Sequence, residues 1–291
     1  MPVDRDKALG ASMGSREGSW EVDDVILYHL GVGAGVPATD ASELEYSYEK
    51  NLKVLPSFVT VAGGRRPRSS RESAEGFKLP GIEFNLAQLL HGEQDIEIHS
   101  TLPAAAKTKT ESRIADVFDK GKAALVIMEG VTSNAETGEK LYTSRSSMFI
   151  RGEGGFGGPA GPKAGNAKPD REPDGVIESK SFPQQALLYR LSGDKNPLHA
   201  DPEFAKMAGF DVPIIHGLCS YGITCKAVVD GVLGGDTTKV ARYQARFAGV
   251  AFPGETYQIS YWKEGDKILI DVRSKERDAK IISNAAIWVR A

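Results

Sequence analysis

The sequence predicts an α+β fold built from two tandem copies of one design. Residues 25–40 and 186–201 read VILYHLGVGAGVPATD and ALLYRLSGDKNPLHAD, with four identical residues at a constant offset of 161. Each copy then ends in segments where β-branched and aromatic residues alternate with polar ones, a pattern typical of half-buried antiparallel strands. A stretch rich in glycine and proline separates the copies. We therefore predict a first repeat over 1–150, a connector over 151–175 and a second repeat over 176–291.

The first copy begins with a short amphipathic helical run in Val25–Asp40, which stops at a glycine-containing turn. No long helix is expected after Pro56, because the following SFVTVAGGRRPRS contains paired glycines and a proline. The polar stretch Gly63–Gly76 is interpreted as a mobile surface loop. Strands are predicted over 94–101, 112–120, 123–133 and 139–150.

The second copy repeats this order and begins with a helical run in Ala186–Asp201. After Pro213, apolar residues recur at helical spacing in His216–Leu233 (HGLCSYGITCKAVVDGVL), which predicts a central helix that the first copy lacks. Tyr28 and Tyr189 occupy equivalent positions, which favours a shared packing role over chemistry. Strands are predicted over 240–251, 255–263, 267–275 and 279–290.

The connector contains eight glycines and four prolines in 25 residues. Such a composition cannot hold a helix or a central strand, because glycine is conformationally free and proline lacks the backbone N–H. Both flanks are apolar and periodic, so the segment is predicted to link two folded halves.

Composition and charge narrow the class of protein. The 291 residues carry 36 basic and 39 acidic side chains, whereas nucleic-acid or membrane-surface binders usually have a clear basic excess. Cys219 and Cys225 lie too close in sequence for a disulfide framework. No run approaches the roughly 18 apolar residues that span a bilayer. The first 18 residues lack a hydrophobic core and no SKL-type signal ends the chain, so we expect a cytoplasmic protein.

One turn concentrates groups that can move protons. Asp194, Asn196 and His199 fall within six positions of the second copy, whereas Gly33 and Ala38 stand opposite the acid and the imidazole in the first. A carboxylate and an imidazole held on one loop can bind a water molecule and shuttle its proton. From the residues alone a second interpretation stays open, in which both groups only satisfy the backbone at a capped helix end.

The surrounding segment, YRLSGDKNPLHADPEFAKMAGFDVPIIHGLCSYG, closely resembles the signature of the MaoC-like, R-specific enoyl-CoA hydratases, or hydratase 2. DVILYHLGVGAG, VLPSF and RFAGVAFPGET extend the likeness over essentially the whole chain, to the two-repeat hydratase domain of peroxisomal multifunctional enzymes type 2. The resemblance implies a double hot-dog fold, in which curved antiparallel sheets wrap a long central helix.

The resemblance also implies a hydro-lyase of fatty-acid metabolism, which adds water reversibly and syn to a trans-2-enoyl-CoA and gives an (R)-3-hydroxyacyl-CoA. Asp194 and His199 would form the catalytic pair, with the order of their proton transfers open, and Asn196 would support the water. The backbone N–H of Gly217 would meet the thioester oxygen. Gly217 stands where the predicted helix begins, so its N–H is free and the helix dipole favours negative charge there.

Substrate-binding residues are less distinct. His216 either contacts the thioester region or caps and packs the helix, while Arg246 and Phe247 are expected to line the acyl-CoA tunnel. Two basic runs, Arg65–Arg71 and Lys107–Lys122, either bind the phosphates of coenzyme A or form a solvated face. The remaining histidines are interpreted as structural or surface residues: His29, His91 and His99.

The resemblance implies CoA thioesters as substrates, with coenzyme A being part of the substrate. A homodimer is expected, because two such chains can pair through sheet edges or helix faces. No separate cofactor is expected, since no dinucleotide motif has its proper context. No metal is expected either, because His199 and His216 lack ligand partners at metal-site spacing. The first repeat, without a central helix, is expected to accommodate a medium, long or bulky acyl tail. The alternatives are an acyl-carrier-protein dehydratase and a non-catalytic acyl-CoA binding protein.

Overall fold

The computed structural model describes residues 3–63, 78–85 and 88–290. Its described helices are α1 (Arg5–Ala8), α2 (Val22–Gly31), α3 (Ala41–Ser47), α4 (Gln185–Tyr189), α5 (Pro202–Met207) and α6 (Gly217–Leu233). Its described strands are β1 (Ser12–Trp20), β2 (Leu89–Ile98), β3 (Ala106–Asp119), β4 (Ala123–Asn134), β5 (Lys140–Arg151), β6 (Gly175–Lys180), β7 (Val240–Phe247), β8 (Thr256–Glu264), β9 (Lys267–Ser274) and β10 (Ala279–Val289).

The described strands form one antiparallel sheet in the order β1-β3-β4-β5-β2-β7-β10-β9-β8-β6. Strands β1 to β5 come from the first copy and β6 to β10 from the second. The order outward from the β2–β7 junction is the same on both sides, which is the symmetry that a sequence duplication predicts. At the junction, Glu93 lies opposite Arg246 and Glu97 opposite Arg242.

Helix α6 lies within the main hydrophobic core and confirms the predicted central helix. His216 is its N-cap residue, and Gly234 ends it with a φ of 69°, a left-handed conformation that glycine adopts at little cost. Most of its side chains are buried, so the helix is enclosed by the molecule rather than laid on its surface. In the first copy, the stretch from Pro56 to Gly63 that the structure describes forms a 3-10 turn, Pro56–Thr60, and no longer helix.

The main core takes side chains from both copies. The rings of Tyr28 and Tyr189 are both fully buried and meet edge to face at 6.0 Å between centroids, as the packing prediction expected. Trp20 and Phe58 extend the aromatic cluster in the first copy. A second, smaller cluster lies around Ile114 and is covered by the N-terminal residues Val3 and Ala8, and by Leu79 and Ile82.

The structure contains two strands that the sequence did not predict, and both lie at sheet edges. Within the described part of the chain, strand β1 pairs with β3 alone, and β6 pairs with β8 alone. Seven of the nine residues of β1 read SMGSREG, and most of them are exposed. Edge strands bury little side-chain surface, so their sequences need not alternate. The other eight strands, β2 to β5 and β7 to β10, confirm the predicted ones, with ends shifted by a few residues.

Among the described residues, no helix combines the length and the apolar character that crossing a membrane requires. Cys219 and Cys225 are free and buried in α6, and burial raises the pKa of the Cys225 thiol to about 12. Both cysteines therefore pack as small apolar residues. The predicted surface loop beyond Gly63, with the basic run Arg65–Arg71, lies outside the described residues.

Candidate active site

The turn that carries Asp194, Asn196 and His199 is built by its own side chains. Gly193 precedes it with a φ of 130°, a conformation that side chains oppose. The Asp194 carboxylate accepts the N–H of Asn196 at 3.0 Å. The Asn196 side-chain oxygen accepts the N–H of Leu198 at 3.0 Å and caps the 3-10 turn Pro197–His199. Asn196 thus holds the turn that places His199.

The tautomer of His199 follows from its hydrogen bond. Its Nδ1 lies 2.9 Å from the backbone oxygen of Ile214. A carbonyl oxygen only accepts, so Nδ1 carries the proton and Nε2 of the neutral ring keeps a free lone pair. The residue is 8% exposed. The backbone therefore determines which ring nitrogen of His199 is free to accept a proton.

His216 stacks on His199. The two ring centroids lie 3.7 Å apart at an interplanar angle of 28°. The ring of Tyr189 also packs against His216, with 4.9 Å between their centroids. The Nε2–H of His216 donates to the backbone oxygen of Asp194 at 3.3 Å, and no side-chain bond caps α6. His216 therefore packs against the turn that carries Asp194 and His199.

Burial sets the charge of both imidazoles. It lowers the pKa of His199 below 6.5, although the bond to Ile214 and the nearby Asp194 carboxylate act in the opposite direction. Burial, with the neighbouring His199, lowers the pKa of His216 to about 4. Both rings are therefore neutral at pH 7, and the stack carries no charge repulsion.

Asp194, His199 and His216 bring three potential metal ligands together, with donor atoms within 4.8 Å of one another. Sequence spacing gave no sign of this cluster, because His216 lies far along the chain. Two imidazoles and a carboxylate are donors that zinc and iron use. One nitrogen of each ring is already engaged by a backbone oxygen, Nδ1 of His199 by Ile214 and Nε2 of His216 by Asp194. The remaining nitrogens and the carboxylate are groups that can also accept protons.

The N-terminus of α6 provides a hydrogen-bond donor beside this cluster. Gly217 is the first helical residue, and its N–H makes no hydrogen bond within the described part of the chain. A Cβ at Gly217 would lie 3.3 Å from the Phe247 ring. A residue larger than glycine at this position would therefore require that ring to move.

Arg246 and Phe247 lie on a cleft of about 880 Å³ at the junction of the two copies. Arg246 pairs with Glu93 at 3.0 Å. The cleft is also lined by Lys120, from the basic run Lys107–Lys122, and by connector residues 160–164. Phe247 lies beside Gly217, where an added Cβ would be 3.3 Å from its ring, so this cleft adjoins the N-terminus of α6.

The three histidines of the first copy have different surroundings. His29 is buried, and its Nδ1–H donates to the backbone oxygen of Tyr46 at 2.7 Å while Nε2 accepts the N–H of Leu55 at 3.1 Å, a structural role. His99 bonds to the Thr143 hydroxyl.

His91 lies on the cleft instead, with its ring 5.0 Å from that of Phe247. The His91 side chain has accessible surface, but the surrounding protein atoms still lower its pKa by desolvation. The nearby negative charge of Asp194 acts in the opposite direction and raises that pKa. Sequence reasoning missed this placement, because it depends on the pairing of β2 with β7 and on a bulge between His91 and Glu93. A bulge redirects a side chain in a way that alternation does not reveal.

Two family descriptions match the chain. Residues 19–152 match the MFE-2 hydratase 2 N-terminal domain, and residues 164–285 match the MaoC like domain. An enoyl-CoA hydratase of Mycobacterium tuberculosis is 45% identical over 291 residues, all of both chains. The peroxisomal enoyl-CoA hydratase 2 of Arabidopsis thaliana is 40% identical over 89% of this chain and 87% of its own.

Solved structures agree. A MaoC-like dehydratase from Phytophthora capsici superimposes with a TM-score of 0.86 at 31% identity, covering 98% of both chains. A Mycobacterium tuberculosis protein described as a double hotdog fold superimposes with a TM-score of 0.56 at 13% identity, over 99% of this chain and 98% of its own. The predicted double hot-dog fold is therefore confirmed.

Proposed function

Since the chain belongs to the MaoC-like, enoyl-CoA hydratase 2 family of hydro-lyases, we propose that it hydrates trans-2-enoyl-CoA thioesters to (R)-3-hydroxyacyl-CoA. The observation that carries the proposal is the fixed tautomer of His199. Its Nε2 is free to accept a proton, and a ring nitrogen of His199 lies within 4.8 Å of a carboxylate oxygen of Asp194, the second proton acceptor. One water molecule has two protons to donate, so the pair can hold and orient it.

In the proposed reaction, the water oxygen bonds to Cβ while a proton passes to the pair and the Cβ–Cα π electrons move toward the thioester. The pair then returns a proton to Cα on the same face, which makes the addition syn. Acid–base help of this kind contributes about 10²–10⁴-fold. Hydration and dehydration are the forward and reverse directions of this reaction.

Electron density reaches the thioester oxygen as the C–O bond at Cβ forms. The free N–H of Gly217 and the dipole of the 17-residue helix α6 favour negative charge at that position. One such donor is typically worth about 3–4 kcal/mol in the transition state. The N–H of Gly217 is thus proposed to donate a hydrogen bond to the oxyanion. The Phe247 ring lies next to this glycine.

The direct test follows the loss of enoyl thioester absorbance with crotonyl-CoA. Asp194→Asn and His199→Ala are each expected to lower kcat by about 10²-fold or more, with unchanged far-UV circular dichroism. Wild-type rates in both variants would rule out the pair, and chiral analysis of the product would separate R from S.

The runner-up is a dehydratase that acts on a carrier-protein thioester. It is favoured by the likeness to a MaoC-like dehydratase, and the same residues would serve it. Comparison of kcat/KM for CoA-linked and carrier-protein-linked substrates decides between the two, because the enzyme should prefer its own carrier.

We also propose that the first repeat receives the acyl tail of medium, long or bulky substrates. An apolar pocket between the copies supports this: Trp20, Leu27 and Phe58 line it on one side, and Leu191 and Ser192 bring it next to the catalytic turn. Its enclosed volume is about 20 Å³, roughly one water, so a tail requires these side chains to move. A strong preference for four-carbon over ten-carbon enoyl-CoA would exclude the proposal.

A further inference from the structure

The connector is bound along its length rather than loose. Near the start of the connector, the N–H groups of Gly155 and Gly157 donate to the Asp119 carboxylate at 2.9 and 2.8 Å. The same carboxylate accepts the N–H of Gly121, in the β3–β4 turn, at 2.8 Å. These bonds lower the pKa of Asp119, which keeps it ionised. The N–H of Asp119 donates in return to the Pro159 oxygen at 2.9 Å. One carboxylate thus ties the connector to the β3–β4 turn.

Its glycines allow close contact with that turn. A Cβ at Gly154 would lie 2.5 Å from the backbone nitrogen of Ala123, and a Cβ at Gly161 would lie 2.6 Å from the Phe118 ring. Neither distance is possible for real side chains, so larger residues would push the connector outward. The composition that indicates a flexible linker in the sequence serves close packing in the structure.

The tied segment forms one wall of the cleft. Residues 160–164 line it, opposite His91 and Phe247. Lys120 donates from Nζ to the backbone oxygens of Ala160 and Pro162, which fixes this stretch above the β3–β4 turn. The cleft volume of about 880 Å³ falls in the usual range for small-molecule sites.

The charges on the cleft favour an anion. Lys120, Lys163 and Arg246 are the lining cations, against Glu93 and Asp119. Asp119 keeps its charge while binding backbone N–H groups, and Glu93 pairs with Arg246, so the three cations exceed the two anions by one charge. Lys163 is exposed and has no ion-pair partner among the residues that the structure describes. An uncompensated cation therefore faces a cleft that adjoins the N-terminus of α6.

We propose that the connector is a wall of the substrate site, where Lys163, with Lys120 and Arg246, holds the phosphates of the CoA nucleotide. Lysine and arginine are common phosphate ligands. Asp119 is a positioning residue, which acts by holding the connector in place. The inference rests on the proposed function and specifies its carrier, since the cationic wall selects a nucleotide-bearing thioester.

The test compares crotonyl-CoA with crotonyl-pantetheine, which lacks the nucleotide. Lys163→Glu is expected to raise KM for crotonyl-CoA about tenfold or more, the loss expected for one charge-assisted contact, with kcat unchanged. Both parameters for crotonyl-pantetheine should stay the same. Asp119→Ala should release the connector, and it should therefore also raise KM for crotonyl-CoA while leaving both parameters for crotonyl-pantetheine unchanged. Lys168→Glu changes an exposed connector lysine that does not line the cleft, and serves as the control.

Calorimetric binding of free CoA provides a measurement that needs no catalysis, and Lys163→Glu should weaken it by a similar factor. An unchanged KM and unchanged CoA binding in Lys163→Glu would overturn the inference. An equal loss with both thioesters would do the same, because the effect would then not involve the nucleotide. If wild-type protein binds CoA through Lys163 but hydrates neither thioester, the cleft assignment holds and the proposed reaction fails.

Discussion

The charge state of single side chains decides whether the site can act. His199 can take a proton only while Nε2 is free; its bond to Ile214 places the proton of the neutral ring on Nδ1, and its burial favours the neutral ring. His216, stacked on it, stays neutral because burial lowers its pKa to about 4. Asn196 and Gly193 contribute through backbone geometry rather than through charge.

A pH profile follows from these states. Because burial lowers the pKa of His199, the proton that would block Nε2 binds only below the ordinary value of 6.5. We expect kcat/KM to be kept at pH 6.5 and to fall as the pH drops through the lowered pKa. The measurement is the acid limb of kcat/KM, with NMR titration of the ring.

Asp194→Asn provides the matched control for that titration. The Asp194 carboxylate raises the pKa of His199, so its removal should move the NMR midpoint lower still. An acid limb centred at or above 6.5 in the wild type would contradict the assignment of His199 as the base.

At the scale of elements, the packing of α2 against α6 depends on one glycine. A Cβ at Gly222 would lie 2.5 Å from the Tyr28 hydroxyl and 2.5 Å from a Val32 methyl. Gly231, in the same helix, would meet only the end of the Ile177 side chain at 2.7 Å, and that methyl can rotate away.

These surroundings predict opposite outcomes for two alanine substitutions. Gly222→Ala should lower the free energy of unfolding by about 1–3 kcal/mol, because overpacking outweighs helix propensity. Gly231→Ala should be neutral or stabilising, by up to about 1 kcal/mol, because alanine favours the helix. Urea unfolding at constant m-value measures both free energies. A higher free energy of unfolding in Gly222→Ala would show that Tyr28 and Val32 leave room for a methyl group at this position.

At the scale of the whole molecule, the two copies are joined by a strand pair and by ion pairs. Arg242 in β7 binds Asp95 in β2 through two contacts of 2.8 Å. Lys226 in α6 lies 2.7 Å from Glu43 in α3 and 2.8 Å from Asp230. These pairs are partly buried, and breaking them would leave charges without their partners, so we expect the copies to unfold together.

The tryptophans allow this to be measured. Trp20 reports on the first copy, while Trp262 and Trp288 report on the second. In Trp20→Phe, and in the double variant Trp262→Phe/Trp288→Phe, the fluorescence transition should coincide with the circular dichroism transition of the same protein. A separate transition in either variant would show that one copy unfolds alone.

The sequence alone determined the local features of this protein. Alternating residues predicted eight of the strands now seen, and helical spacing predicted α6, because both periods are written in neighbouring residues. Asp194, Asn196 and His199 were found because one turn carries all three. The two edge strands escaped prediction, since little of their surface is buried.

Only the tertiary structure decided what lies beside these groups. The stacking of His216 on His199, the position of His91 and the connector wall depend on contacts between residues far apart in the chain. The pairing of β2 with β7 creates the cleft, and strand pairing between copies is a matter of register across a long separation. A glycine-rich segment predicts freedom in isolation, but close packing on Ala123 and Phe118 turned that freedom into a fixed wall.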